Sequence, residues 1–163
     1  MSDGIGDCRV ALEAFVAEAG LSPHAATMFL DCALQADVEL VQGAVDRLAK
    51  PYGRNTIVAL TREFGIALVR IRPGQGTSFH RHRTRREFFL VREGVLRLVT
   101  GPGSHALLAG GFGWSTPGEA HALECGAAVD VSVLELFAPP DFNDKVRLSD
   151  RYARTLGAVT KLQ

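Results

Sequence analysis

The apolar positions of this chain change their period near residue 50. Before it, Val10, Ala14 and Ala17, then Val38, Val41, Val45 and Leu48, recur at spacings of three and four, which gathers side chains on one face of a helix. Boundary residues agree. Gly20 can end a first helix, Ser22 and Pro23 offer a second an N-cap and a proline at its first position, and Pro51 stops a third. Residues 7–49 therefore read as three short helices, whose apolar stripes need a partner surface on the main body of the protein or at a subunit contact. After Pro51 the runs become short and β-rich, at 56–61, 66–72, 87–91, 95–100 and 129–137. Between them Pro73-Gly74-Gln75-Gly76, Gly101-Pro102-Gly103 and Gly110-Gly111-Phe112-Gly113 supply tight reversals. That alternation suits an antiparallel barrel or double-sheet jelly roll.

The pattern divides the chain into a helical extension over 1–50, a β-barrel over 51–140, and a more polar tail over 141–163 that packs on the barrel or on a partner subunit. At 163 residues there is material for one well-buried core and not for two. Eighteen basic and eighteen acidic side chains cancel, so no overall field draws the protein to nucleic acid or membrane, and a partner must be recognised by a local site. The first residues lack the basic-then-apolar order of a secretory signal, which leads us to expect a cytoplasmic protein. Cys8, Cys32 and Cys125 are too few and too scattered for a disulfide framework and read as reduced thiols.

One constellation carries chemistry. Gly74 is followed at fixed intervals by His80, His82, Glu87 and Gly94. Two histidines separated by one residue on a strand point to the same face, so His80 and His82 can present imidazoles to one point inside a barrel. The step to Glu87 reverses that face on an unbroken strand, so a turn through Arg83 to Arg86 must bring the carboxylate back. A fourth ligand comes from Pro117-Gly118-Glu119-Ala120-His121, where His121 follows a tight turn. Three imidazoles and a carboxylate suit one divalent Zn, Fe, Mn or Ni ion with a position left for water or substrate. Cys125 shares the parity of His121, but four residues of strand span about 13 Å, beyond a metal's coordination sphere.

These two stretches resemble the paired motifs of the cupin superfamily, the first in every residue and spacing, the second with Thr116 and Cys125 in place of the usual Pro and Asn. The resemblance implies a cupin-type jelly-roll barrel over 51–140. A narrower resemblance, to the cupin domain of type II mannose-6-phosphate isomerases, covers roughly 50–154. It runs through Lys50-Pro51-Tyr52-Gly53, Pro73-Gly74, Arg85, Glu87, His121-Ala122-Leu123-Glu124 and the tail Asp144-Lys145-Val146-Arg147-Leu148-Ser149-Asp150-Arg151-Tyr152-Ala153-Arg154. The departures are Ala67, Leu68 and Ala122 where those isomerases carry basic residues, and Phe88-Phe89 where they carry His-Trp.

The resemblance implies a metal-dependent small-molecule enzyme of isomerase or epimerase type, and a homodimer is expected, with no catalytic base assigned by the sequence. Two other classes stay open: a non-haem Fe(II) dioxygenase, and a non-enzymatic accessory module in which the metal is structural. A substrate pocket is expected at Arg85, Phe89 and Trp114. Loss of the family's basic residues points to a less charged, more apolar ligand than a sugar phosphate, and Arg81 and Arg83, of opposite parity to the histidines, are expected to point out of the barrel.

Overall fold

The computed structural model describes residues 3–35, 46–154 and 156–158. Two helices come first, α1 (Asp3–Glu18) and α2 (His24–Leu34). Gly20, in the left-handed region at φ 69°, closes α1: its N–H bonds to Ala17 O and the Leu21 N–H to Val16 O, which satisfies carbonyls that the helix end would orphan. Pro23 already has helical dihedrals, and the Ser22 hydroxyl accepts the His24 N–H. The buried face of α1 is Cys8, Leu12, Phe15 and Val16, whereas Val10 is 69% exposed. The expected stripe of Val10, Ala14 and Ala17 thus faces solvent. The reason is size, since burying Leu and Phe removes far more apolar area than burying Ala.

Of the expected third helix, residues 36–45 lie outside the described residues. The remainder, Asp46–Lys50, is a strand, β1, in register with β2 (Gly53–Leu60) from Asp46↔Ile57 to Lys50↔Gly53. Pairing with β2 supplies partners to its backbone, and this tertiary gain overrides local helical periodicity. The chain continues through β3 (Gly65–Ile71), β4 (Phe79–His82), β5 (Arg86–Glu93), β6 (Val95–Thr100) and β7 (Ser104–Leu108). It ends with β8 (Phe112–Ser115), β9 (His121–Cys125), β10 (Val131–Ala138), β11 (Lys145–Ser149) and β12 (Gly157–Ala158). The strands form two antiparallel sheets, β1-β2-β3-β10-β5-β8 and β12-β11-β4-β9-β6-β7. This is the expected mainly-β jelly-roll barrel with an N-terminal helical extension. The tail enters it, because β11 lies between β4 and β12.

Strand parity divides the apolar residues between two cores. On one side of the first sheet, Ile66, Leu68, Phe88, Leu134 and Leu136 pack against Leu12, Phe15, Phe29 and Leu30 of the helices. On the other, Val69, Ile71, Phe89, Val131 and Val133 meet Leu96, Leu98 and Leu123 of the second sheet. Phe29 stands edge-on to Phe88, with centroids 5.8 Å apart and planes at 90°, a favoured aromatic geometry. Between β5 and β6 the chain turns on Gly94 at φ 78°, where a Cβ would lie 2.6 Å from Asp130 O. No helix among the described residues is long and apolar enough to cross a membrane.

Because Phe29 is wholly buried against Phe88 and far from the second core, Phe29→Ala should cost about 3–5 kcal/mol of folding stability. Urea titration of the variant checks this. A loss below about 1 kcal/mol would show that the helices contribute little to the barrel.

Candidate metal centre and adjoining cavity

The first two ligands lie on β4, whose alternation points Ser78, His80 and His82 inward, and His80 pairs in register with His121 on β9. These strands belong to the second sheet, whereas Glu87 lies on β5 of the first. The connecting turn therefore crosses the barrel. It is held by the Asp144 carboxylate, which accepts N–H bonds from Arg83 (2.9 Å), Thr84 (3.1 Å) and Arg85 (2.8 Å). The turn before His121 depends on Gly118 at φ 86°, and the Gly118 N–H bonds to His82 O at 2.8 Å. Both ligand-bearing turns are thus tied to the β4 end of the barrel.

The result is a buried cluster in which one ligand atom from each of His80, His82, Glu87 and His121 lies within 4.8 Å of all the others. Hydrogen bonds fix two of the tautomers. His80 Nδ1 lies 2.7 Å from Ser78 O and His121 Nδ1 lies 3.3 Å from Glu119 O. A carbonyl only accepts, so each Nδ1 carries the hydrogen and each Nε2 presents a lone pair. His121 Nε2 is 2.8 Å from Glu87 Oε2, and His82 Nε2 is 3.0 Å from Oε1, yet His82 Nε2 is buried without a hydrogen bond. Lone pairs facing a carboxylate at these distances repel unless a cation joins them. The donor set and its orphaned nitrogen fit a divalent ion.

Burial holds His80 well below the usual imidazole value and lowers His82, with Glu87 opposing both effects. Burial pushes Glu87 up, but the adjacent His82 and His121 outweigh it and hold the carboxyl well below its usual range. All three shifts favour the deprotonated forms that bind metal.

Beside His82 lies a cavity of about 140 Å³ whose wall includes Lys50, Tyr52, Asn55, Arg85, Glu135, Lys145, Arg147 and Arg154. Arg85, 8% exposed, stacks over Phe137 at 4.7 Å, approaches Glu87 Oε1 at 3.5 Å and donates to Asp141 O. Glu135 faces inward from β10, and burial followed by the neighbouring Glu87 charge raises its carboxyl well above the usual value. Burial pushes the Lys145 amine down to about 8. Glu135 was not among the sequence candidates, although an acid inside the apolar run 129–137 was a signal. Lys50, Asp144, Lys145, Arg147 and Arg154 stood only in the segments that carried the resemblance.

Of the three expected pocket residues, Arg85 lines this cavity, while Phe89 is fully buried in the barrel core with its ring 5.6 Å from that of His121. Trp114 is 53% exposed and borders a separate depression on the far side of His121. The expectation of an apolar, cation-poor pocket is corrected. Phe88 packs under the helices, Leu68 faces them too, and Ala122 lies on the outer side of the second sheet, so only Ala67 of the altered positions reaches the cavity. Its cations come from β1, the β4–β5 turn, β11 and the tail. Arg81 and Arg83 are exposed, as their parity requires.

The fold is that of a cupin-type double-stranded β-helix barrel. No protein-family model and no curated protein matches the sequence. Among solved structures, a cupin-superfamily sugar phosphate isomerase from Silicibacter pomeroyi is similar over 60% of this chain and 65% of its own, just under two thirds of its length, at 22% identity and a TM-score of 0.52. KdgF from Halomonas sp. is similar at 21% identity and a TM-score of 0.55, over 59% of this chain and 89% of its own. Oxalate decarboxylase from Bacillus subtilis, with its Mn(II) centres, matches over 67% of this chain and 30% of its own, at 20% identity and a TM-score of 0.54. At these identities the likeness establishes the fold.

The shifts set the pH response of the metal-free protein. An unfolded histidine takes up a proton below about 6.5, whereas native His80 and His82 resist it, so these two withdraw stability as pH falls through that value. Native Glu135 keeps a proton that the unfolded chain releases above about 4.5, which acts in the opposite sense over the same range. Glu135→Gln removes the opposing contribution. In that variant, stability should fall as pH drops from 6.5 towards 5, with a slope of at most about 2.7 kcal/mol per unit, the limit for two protons at about 1.36 each. Urea midpoints measured across the range check this, and a flat profile would contradict it.

Proposed function

We propose that the protein is a metal-dependent small-molecule enzyme of isomerase or epimerase type, acting on a compact anionic hydroxy-carbonyl compound. The observation that carries this reading is the cavity at His82, where one carboxyl group outside the ligand set, Glu135, sits among Lys50, Arg85, Lys145, Arg147 and Arg154. Cations crowded around so small a space repel one another, and an anionic ligand relieves that repulsion.

A divalent ion on His80, His82, Glu87 and His121 would supply Lewis-acid polarisation of a substrate oxygen. The chain's own residues do the rest. Arg85, oriented by Asp141 O and by stacking on Phe137, holds an anionic or carbonyl oxygen near the ligand set. Glu135 is the carboxyl on the cavity wall outside the ligand set, and once the Glu87 charge that helps keep it protonated is neutralised, it can take a proton from the carbon next to that oxygen and return it, while the ammonium of Lys145 steadies charge that develops on the substrate. Phe88 and Phe89, which would have to line the cavity to suit the apolar substrate of a dioxygenase, are core residues instead, and a cavity beside the ligands gives an accessory role no support.

The test is hydrogen exchange. Metal-loaded protein incubated in D2O with small phosphorylated and carboxylated hydroxy-aldehydes and ketones should incorporate deuterium beside the carbonyl of one of them. Glu135→Gln should slow this by 100-fold or more at unchanged metal content, with ~10²–10⁴ the usual share of a general base. Exchange unaffected by Glu135→Gln, or oxygen consumption by the iron-loaded protein, would overturn the reading.

A further inference from the structure

Beyond Glu135 and Arg85, the wall of the cavity includes a residue from the tail between β11 and β12, Arg154. Its placement is elaborate for a tail residue. Asp150 grips it three times, accepting the backbone N–H at 2.8 Å, Nε at 2.9 Å and Nη2 at 2.5 Å. Its guanidinium lies 4.9 Å from the ring centroid of Tyr152. Tyr152 is anchored in turn, donating to Gln75 Oε1 at 2.7 Å while its oxygen lies 3.3 Å from Gly76 N. Ala153 between them takes φ 54°, the one positive φ at a non-glycine residue among those described, a conformation that costs an alanine stability and persists where the surroundings enforce it.

The Asp150 side chain is fully buried and that of Arg154 is 26% exposed, so the pair satisfies a buried carboxylate while holding the guanidinium in one orientation. The grip on Nε and Nη2 leaves Nη1 without a protein hydrogen bond among the described residues. Register gives the location. On β11, Lys145 stands opposite His82 and Arg147 opposite His80, so the strand runs away from the Arg85 end of the cavity, and the turn carrying Arg154 lies beyond Arg147.

We infer that Arg154, positioned by Asp150 and Tyr152, is a specificity-determining residue that binds a terminal oxyanion of the substrate, phosphate or carboxylate, at the end of the cavity remote from Arg85. This rests on the reading of the cavity as the site of an anionic substrate. It assigns the tail a part in recognition, with Asp150 acting only through Arg154.

The test uses the full-length, metal-loaded protein at low ionic strength, with inorganic phosphate and acetate as separate calorimetric probes and metal content measured in every sample. Arg154→Gln should weaken the preferred probe at least tenfold. Arg151→Gln, which removes an equal charge from the outer surface pair with Glu124, should change it less than twofold. Arg154→Lys, which keeps the charge but loses the fork held by Asp150, should fall between the two, and it carries the test if Arg154→Gln does not fold. The probe that binds more tightly tells phosphate from carboxylate. Equal losses for Arg154→Gln and Arg151→Gln, or none for Arg154→Gln, would overturn the assignment while leaving the anionic cavity standing. No binding of either probe by the wild-type protein would overturn the anionic reading itself.

Discussion

A carboxylate on one sheet facing three imidazole nitrogens on the other is the interaction around which this barrel is organised. Glu87 lies within 3.0 Å of His82 Nε2 and of His121 Nε2, and all three side chains are buried. Such a group of lone pairs and negative charge is unstable without a cation, and its cost grows with burial. Several features hold the two sheets to it. Asp144 collects three N–H groups of the turn that crosses from His82 to Glu87, and Gly118 ties the turn before His121 to His82 O. Asp144 belongs to the tail, just before β11, so the last part of the chain to enter the barrel fixes the first pair of ligands.

The same sheet that carries Glu87 carries the helices on its other face. Adjacent residues on β5 serve opposite ends: Phe88 meets Phe15 and Phe29, while Phe89 lies under His121. On β10, Leu134 and Leu136 pack against the helices, and Glu135 between them reaches the cavity. A single strand thereby couples the stability of the N-terminal extension to the placement of a polar group in the site, through the strict alternation of β-structure.

That alternation also explains what could be read from the sequence. Same-face spacing of His80 and His82, the compensating turn before Glu87, the position of His121 after Pro117-Gly118 and the outward Arg81 and Arg83 are local consequences of strand geometry, and all were legible. The β-runs near 56–61, 66–72, 87–91, 95–100 and 129–137 were legible for the same reason. What was not legible depends on contacts distant in sequence. Asp46–Lys50 is a strand only because β2 pairs with it, and Leu12 and Phe15 are the buried face of α1 only because a broad apolar sheet lies beneath. The cavity was the least legible part. Counting basic residues lost at Ala67, Leu68 and Ala122 suggested an apolar pocket, yet parity turns Leu68 and Ala122 away from it, and its cations arrive from four segments spread between Lys50 and Arg154. Residue type alone does not tell a pocket wall from core or surface, and of the two aromatic candidates Phe89 is core and Trp114 is exposed.

A divalent ion on His80, His82, Glu87 and His121 would be a part of the folded barrel and not an optional guest. Elemental analysis of protein purified without chelator, paired with thermal melts before and after chelation, tests this most directly. The wild-type protein should carry about one transition-metal ion per chain and lose melting temperature on chelation, because metal bound only by the native state adds to folding free energy. Occupancy should fall to less than about a tenth of that in His82→Ala and in His121→Ala. Full occupancy in either variant, or a wild-type melting temperature indifferent to chelation, would contradict this assignment.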